Sequence, residues 1–100
     1  DLGQEMIRVS GDCAEVSGPM TMSGAAVLLA EGEAAIASNA ASFDLSAVTE
    51  MDSSCLAVVF GWMRAAQATG KSLRLLNPPQ NLLSLAAVYD VAELLPQHKP

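Results

Sequence analysis

The sequence predicts a single α/β domain: a mixed, mostly parallel sheet of about four to five strands with helices packed on it. The prediction depends on two observations. Strand and helix patterns alternate along the chain in the order β-β-α-β-α-β-α, and no repeat, low-complexity tract or linker divides the 100 residues. A chain of this length forms one domain, and we expect its core to span about residues 6–95.

The first two predicted strands form a hairpin. Residues 6–10 and 13–17 each favour a strand, and the Gly-Asp pair between them is typical of a turn. Gly18 and Pro19 follow. We expect them to end the second strand, because proline cannot donate a hydrogen bond to a sheet.

A helix and a short strand come next. Ser23 is a candidate N-cap for a helix that continues to about Ala37, and Asn39 is expected to stop it. The pattern at 42–46 then predicts a short strand, and residues 47–51 are expected to form a loop.

The second half repeats this alternation. A second helix is predicted over 53–69, with a glycine just beyond its end, followed by a basic strand at 71–76. The Asn-Pro-Pro sequence at 77–79 opens a third helix, since proline is tolerated in a first turn. A last short segment covers 91–95. The core-facing stripe expected on the third helix consists of Leu82, Leu85, Ala86 and Tyr89.

Composition and charge narrow the class of partner. Apolar residues make up 51% of the chain and charged residues only 16%, so some apolar area is expected on the surface. The net charge of −6 divides into −7 for residues 1–50 and +1 for residues 51–100. An acidic chain is a poor candidate for nucleic acid or anionic lipid. We therefore expect a protein partner, no nucleic acid and no direct membrane insertion.

Other classes of site find no support in the sequence. Cys13 and Cys55 lack metal-ligand spacing and are expected to be reduced, and the single histidine, His98, falls in a predicted tail. We expect no metal, no cofactor and no catalysis. No stretch is long and apolar enough to span a bilayer, and no signal peptide is visible, so a cytoplasmic location is expected.

The second helix carries the predicted docking surface. With residues placed about 100° apart, one side should face the sheet, and it comprises Leu56, Val59, Phe60, Met63 and Ala66. The other side is almost uncharged, although a surface helix normally carries charge there. This predicted docking face comprises Ser54, Val58, Gly61 and Ala65, with Trp62 at its margin. Coverage of this face by another helix of the domain is the alternative.

The start of this helix carries the motif Asp52-Ser53-Ser54-Cys55. Asp52 can accept a hydrogen bond from the backbone N–H of Ser54 or Cys55, as N-cap residues do. We expect all four residues to belong to the docking contact, with the two hydroxyls at the edge of the docking face. A phosphate on Ser54 would be compatible with the positive end of the helix but would place charge beside an apolar interface.

The order of elements and this motif resemble the STAS domain family, which includes bacterial anti-sigma-factor antagonists. The likeness extends over about residues 9–95 and is carried by Gly-Pro-Met-Thr at 18–21, Phe-Asp-Leu-Ser at 43–46 and Met-Asp-Ser-Ser at 51–54. Asn-Pro-Pro at 77–79 and the segment 89–96 bring it closer to small subunits of ABC transporters that maintain outer-membrane lipid asymmetry. Cys55 departs from the pattern, which has glycine at that position.

The resemblance implies a protein that binds and regulates. In the transporter subunits the position of Ser53 contacts the ATPase subunit, whereas in the anti-sigma antagonists the position of Ser54 is phosphorylated. Two functions therefore stay open: an ATPase-docking subunit at the inner membrane, or an antagonist controlled by an anti-sigma factor kinase. Self-association of the isolated chain is a further expectation. A nucleophilic enzyme acting through Ser53 or Cys55 lacks an activating partner in the sequence.

Overall fold

The computed structural model describes residues 7–89. The elements alternate as the sequence predicts, and the α/β class is confirmed. In chain order they are β1 (Ile7–Ser10), β2 (Cys13–Met20), a 3₁₀ turn (Met22–Gly24), α1 (Ala25–Ala37), β3 (Ser42–Met51), α2 (Ser54–Ala68), β4 (Arg74–Leu76) and α3 (Gln80–Val88). The segment predicted at 91–95 lies outside the described residues.

The four strands of residues 7–89 form one mixed sheet in the order β1-β2-β3-β4. β1 and β2 are the predicted antiparallel hairpin, whereas β2 pairs with β3 and β3 with β4 in parallel. Parallel neighbours end at the same edge of a sheet. Met20 and Met51, the last residues of β2 and β3, are therefore direct partners. The connections that lead to α1 and α2 leave the sheet side by side.

Two central strands are longer than the sequence predicts. The expectation that Gly18 and Pro19 end β2 is wrong, and so is the expectation of a loop at 47–51, because the two segments pair with each other. The register shifts between Gly18 and Pro19, and Gly18 has a φ of 83°. An irregularity of this kind accommodates proline within a strand.

One face of the sheet packs against the helices. Side chains alternate between buried and exposed along β2 and along the first half of β3, as expected for a sheet covered on one side. The buried set on these strands consists of Ala14, Val16, Met20, Phe43 and Leu45. Residues on the opposite face, such as Glu15 and Ser17, are exposed. Helix α1 contacts β1, β2 and α2, and α3 contacts α2.

Trp62 of α2 connects the sheet with α1. It is 0% exposed, and its ring stacks on Phe43 of β3 at a centroid distance of 4.5 Å. On the other side its Nε1–H donates to the carbonyl of Leu28 in α1 at 3.1 Å. Gly32 of α1 lies over the ring so closely that a Cβ there would be 1.9 Å from Nε1. A glycine at this point of α1 is what allows the indole to fit.

The ends of α1 differ from the predicted capping. Ser23 is not its N-cap: it belongs to the 3₁₀ turn, and α1 begins at Ala25 without a side-chain cap. Asn39 has a φ of 80°, consistent with its predicted role as a stop. Lys71, which the sequence places in β4, instead donates from Nζ to the carbonyl of Ile36 at 3.1 Å and to Asn39 Oδ1 at 3.0 Å. A lysine satisfies the end of α1 in this way, and β4 begins only at Arg74.

The stripe predicted on α3 is correct for its first three residues. Leu82 and Ala86 are buried and Leu85 is half-buried. Tyr89 is 56% exposed, because it follows the last helical residue, Val88, and no longer lies on the inward face of α3.

We expect Gly32→Ala to lower the free energy of unfolding by about 2 kcal/mol, since the new methyl group would overpack the indole of Trp62. The matched control is Gly61→Ala in α2. Its Cβ would meet only the end of the half-buried Leu29 side chain, which can rotate away, and alanine favours a helix by up to about 1 kcal/mol. Urea denaturation of both variants checks this. Equal stability of Gly32→Ala and the wild type would contradict the packing described for Trp62.

Candidate functional site

The site lies where β2 and β3 leave the sheet. The backbone N–H of Asp52 donates to the carbonyl of Met20 at 3.3 Å, so the pairing of the two strands continues to Asp52, two residues before α2 begins. From this point the segment after β2 enters the 3₁₀ turn Met22–Gly24, and the segment after β3 enters α2 at Ser54. The motif at 52–55 is therefore held against the start of the α1 segment.

Asp52 links these two starting turns through its carboxylate. Oδ1 accepts from the backbone N–H of Ser54 at 2.9 Å and also from the Ser54 hydroxyl. Oδ2 accepts from the backbone N–H of Met22 at 3.1 Å. The predicted hydrogen bond from the Ser54 N–H to Asp52 is thus present, although the N-cap position of α2 is Ser53. The contact with Met22 was not foreseen, since it joins residues 30 apart in the sequence.

These donors favour the charged form of the carboxylate. They hold the pKa of Asp52 below its ordinary value of 3.8, first through the Ser54 hydroxyl and then through the N–H groups of Met22 and Ser54. Asp52 is consequently an anion at neutral pH. Its negative charge lies at the positive end of α2, which is a favourable arrangement.

The three residues after Asp52 have different environments. Ser53 is exposed, Ser54 is half-buried with its hydroxyl donated to Asp52, and Cys55 is fully buried. Burial raises the pKa of the Cys55 thiol to about 11, with a smaller contribution from the charge of Asp52. A neutral, buried thiol is a poor nucleophile. It is also out of reach of a partner, so the expectation that Cys55 belongs to the docking contact is wrong. Only Ser53 presents a hydroxyl fully to the outside.

The prediction of an exposed docking face along Val58, Gly61 and Trp62 is wrong. Val58 is 2% exposed, Gly61 is buried beneath Leu29 of α1, and Trp62 is enclosed between the sheet and α1. The physical reason is that α1 covers this side of α2, which is the alternative left open above. Ala65 is half-buried on the same side.

The side of α2 that faces solvent differs from the predicted side by about a quarter of a full rotation around the helix axis. It begins at Ser53 and continues through Ala57 one turn later. Phe60 and Met63, expected to face the sheet, are half-buried. The exposed positions further along this helix are Arg64, Gln67 and Ala68.

The residue that sequence reasoning missed is Met22. It is 75% exposed, and its N–H is bonded to Asp52. No periodicity indicates this residue, because it belongs to a three-residue turn rather than to a helix or strand. We refer below to Met22, Ser53, Ser54 and Ala57 together as the α2 entry surface.

Within residues 7–89, no group of three or more His, Cys, Asp or Glu side chains could hold a metal ion. No helix within the same range has both the length and the hydrophobicity to cross a membrane.

Comparison with protein families identifies one match. A family model described as MlaB, STAS domain, matches residues 6–96 and confirms the resemblance noted in the sequence. Among curated protein sequences there is no significant match.

Solved structures share the fold at low sequence identity. A putative anti-sigma factor antagonist from Thermotoga maritima has a TM-score of 0.70 at 12% identity, covering 94% of this chain and 85% of that one. The anti-sigma factor antagonist SpoIIAA in its unphosphorylated form has a TM-score of 0.63 at 20% identity, over 94% and 86% of the two chains. The phosphorylated form of Bacillus SpoIIAA gives 0.62 at 18%, over 93% and 89%.

We expect Asp52→Asn to be less stable than the wild type at pH 7 and the difference to shrink as the pH falls below about 4. The folded-state pKa is lowered, so the carboxylate stabilises the fold above its unfolded pKa and loses this effect as it is protonated. Urea denaturation of both proteins at pH 7 and pH 3 measures the difference. A stability difference that does not depend on pH would contradict the assigned hydrogen bonds.

Proposed function

We propose that this chain, which belongs to the MlaB STAS domain family, is a non-catalytic subunit that docks on the ATPase of an ABC transporter for lipids. STAS domains act through protein–protein interaction. Docking would place this domain at the cytoplasmic face of the inner membrane, where it would support the assembly or activity of the ATPase. The α2 entry surface is the proposed contact.

The observation that carries the proposal is an exposed surface held by a rigid backbone. Ser53 and Met22 are both exposed. The backbone at this surface is nevertheless fixed, because Asp52 accepts hydrogen bonds from the backbone N–H groups of Met22 and Ser54. A partner that binds here orders little additional backbone, which lowers the entropy cost of association.

Small side chains at the start of α2 also favour close approach. Ser53 and Ala57 are exposed on successive turns, so a partner helix or loop could lie against the helix backbone. A stable interface buries about 800 Å² per partner, which is more than these residues provide. The contact therefore extends along the exposed positions of α2, including Arg64 and Ala68.

We expect Ala57→Asp to abolish binding to the ATPase subunit of the transporter, because a larger side chain at this exposed position would prevent the close approach of the partner to the helix backbone. Ala34→Asp is the matched control, since Ala34 is exposed on α1 and lines a separate groove with Ile7 and Val9. Titration calorimetry with the purified ATPase measures both. Val58→Asp is unsuitable, since that side chain is in the core.

If the wild type binds the ATPase and Ala57→Asp binds it with the same affinity, α2 is excluded as the contact. No binding by the wild type would exclude the ATPase as partner. Folding of both variants is checked by circular dichroism, because a substitution at an exposed helical position should leave the unfolding transition nearly unchanged.

A second candidate function is that of an anti-sigma factor antagonist controlled by phosphorylation of Ser54. The fold is shared with SpoIIAA in both unphosphorylated and phosphorylated forms. The observation in favour is the bond between the Ser54 hydroxyl and Asp52. A phosphate would remove this donor and add about −1.5 to −2 charges beside the carboxylate, so it would disturb the α2 entry surface directly.

We expect, under this second function, that the cognate anti-sigma factor kinase and ATP add one phosphate, detected by intact mass. Ser54→Ala should abolish the modification and Ser53→Ala should leave it unchanged. Modification that is lost in Ser53→Ala but retained in Ser54→Ala would assign the exposed hydroxyl instead. An unmodified wild type would rule out the antagonist function.

A further inference from the structure

We infer that Met22 is the apolar anchor of the docking contact and that Asp52 is the positioning residue that holds it there. The partner this anchor fits is a protein surface with an apolar pocket bordered by basic side chains. The inference rests on the proposed function, because it concerns the same α2 entry surface.

Met22 combines high exposure with a fixed backbone. Its side chain is 75% exposed, whereas its N–H donates to Asp52 Oδ2 at 3.1 Å. The turn that contains it is closed by the N–H of Gly24, which donates to the carbonyl of Thr21 at 3.0 Å. Only the side chain of Met22 remains to be ordered when a partner binds, so its burial should contribute strongly to affinity.

The other strongly exposed apolar side chains of residues 7–89 lie on other elements and are not in contact with Asp52. Val88 is 76% exposed and Tyr89 56%, and both lie at the C-terminal end of α3. Val27 is 50% exposed on the surface of α1. Met22 differs from these because a side-chain carboxylate from another element holds its backbone. Methionine is also unbranched and polarizable, and it adapts to irregular apolar pockets.

The charges around the anchor indicate the chemistry of the partner. Asp52 is ionised, and Glu50 is exposed two residues before it. The half of the chain that contains Met22 carries a net charge of −7. A pocket that receives Met22 would therefore be bordered by lysine or arginine, because complementary charge accelerates and orients association.

The test is a double-mutant cycle against the purified ATPase subunit, with dissociation constants measured by titration calorimetry. We expect Met22→Ala to weaken binding by about ten- to a hundredfold, as loss of a buried methionine side chain implies. Met22→Leu should retain most of the affinity. Val88→Ala, the control for loss of an equally exposed side chain, should have no effect.

Asp52→Asn tests the positioning role. The variant should weaken binding by itself, and the double variant Asp52→Asn/Met22→Ala should bind more tightly than the sum of the two single effects predicts, because part of the effect of Asp52 acts through Met22. Amide hydrogen exchange gives a readout that needs no partner. The Met22 N–H should exchange faster in Asp52→Asn than in the wild type, whereas amides in the middle of α1 should not change.

The outcomes separate this inference from the proposed function. If Ala57→Asp abolishes binding while Met22→Ala does not weaken it, the anchor is overturned and the docking proposal remains. Fully additive effects of Asp52→Asn and Met22→Ala would overturn the positioning role. If the wild type does not bind the ATPase, both the docking proposal and the anchor fail. Unaltered exchange of the Met22 N–H in Asp52→Asn would overturn the positioning role even without a partner.

Discussion

The enclosure of Trp62 fixes the positions of the helices relative to the sheet. The indole stacks on Phe43 below and lies under Gly32 above, so α2 cannot rotate or slide without losing one of these contacts. Its only polar atom is satisfied by the carbonyl of Leu28, which removes the cost of burying a free N–H. A single large side chain thereby fills the space between α1 and the sheet.

The geometry of the α2 entry surface follows from this packing. α1 and α2 each begin where one of two neighbouring parallel strands ends, and Met20 and Met51 are paired there. Once both helices are held in place, the carboxylate of Asp52 reaches the N–H of Met22 as well as its own helix. A hydrogen bond between two exposed turns contributes little when the turns move independently. Here the core has already restricted them.

The sequence predicts the elements of this fold better than their contacts. The sequence predicts helices α1, α2 and α3 because their start and stop signals are local, such as the Asn-Pro-Pro sequence before α3 and Asn39 after α1. The second half of β3 was missed because it contains small and polar residues whose strand conformation comes from pairing with the end of β2. Pairing of that kind is non-local, and the propensity of the segment itself does not reveal it.

The face of α2 was mispredicted for a related reason. Helical periodicity gives the directions of side chains relative to one another but not the side that a neighbouring helix covers. The signal was present in α1, where Gly32 occupies the middle of a helix at a cost in helix propensity. A glycine retained there indicates close approach by a large group, and Trp62 is the only tryptophan in the chain. The pairing of these two residues would have reassigned Trp62 from the surface to the core.

The two hydroxyls of the motif can be assigned separate roles on physical grounds, whichever partner binds. The Ser54 hydroxyl is already committed to Asp52, so a partner could use it only by breaking that bond. Ser53 is exposed and available for direct contact. A change at Ser54 would therefore act through Asp52 and reach Met22, whereas a change at Ser53 would act on the partner itself. The docking function and the phosphorylation-controlled function would then depend on the same carboxylate, and they would differ only in whether its hydrogen bond to Ser54 is kept or removed.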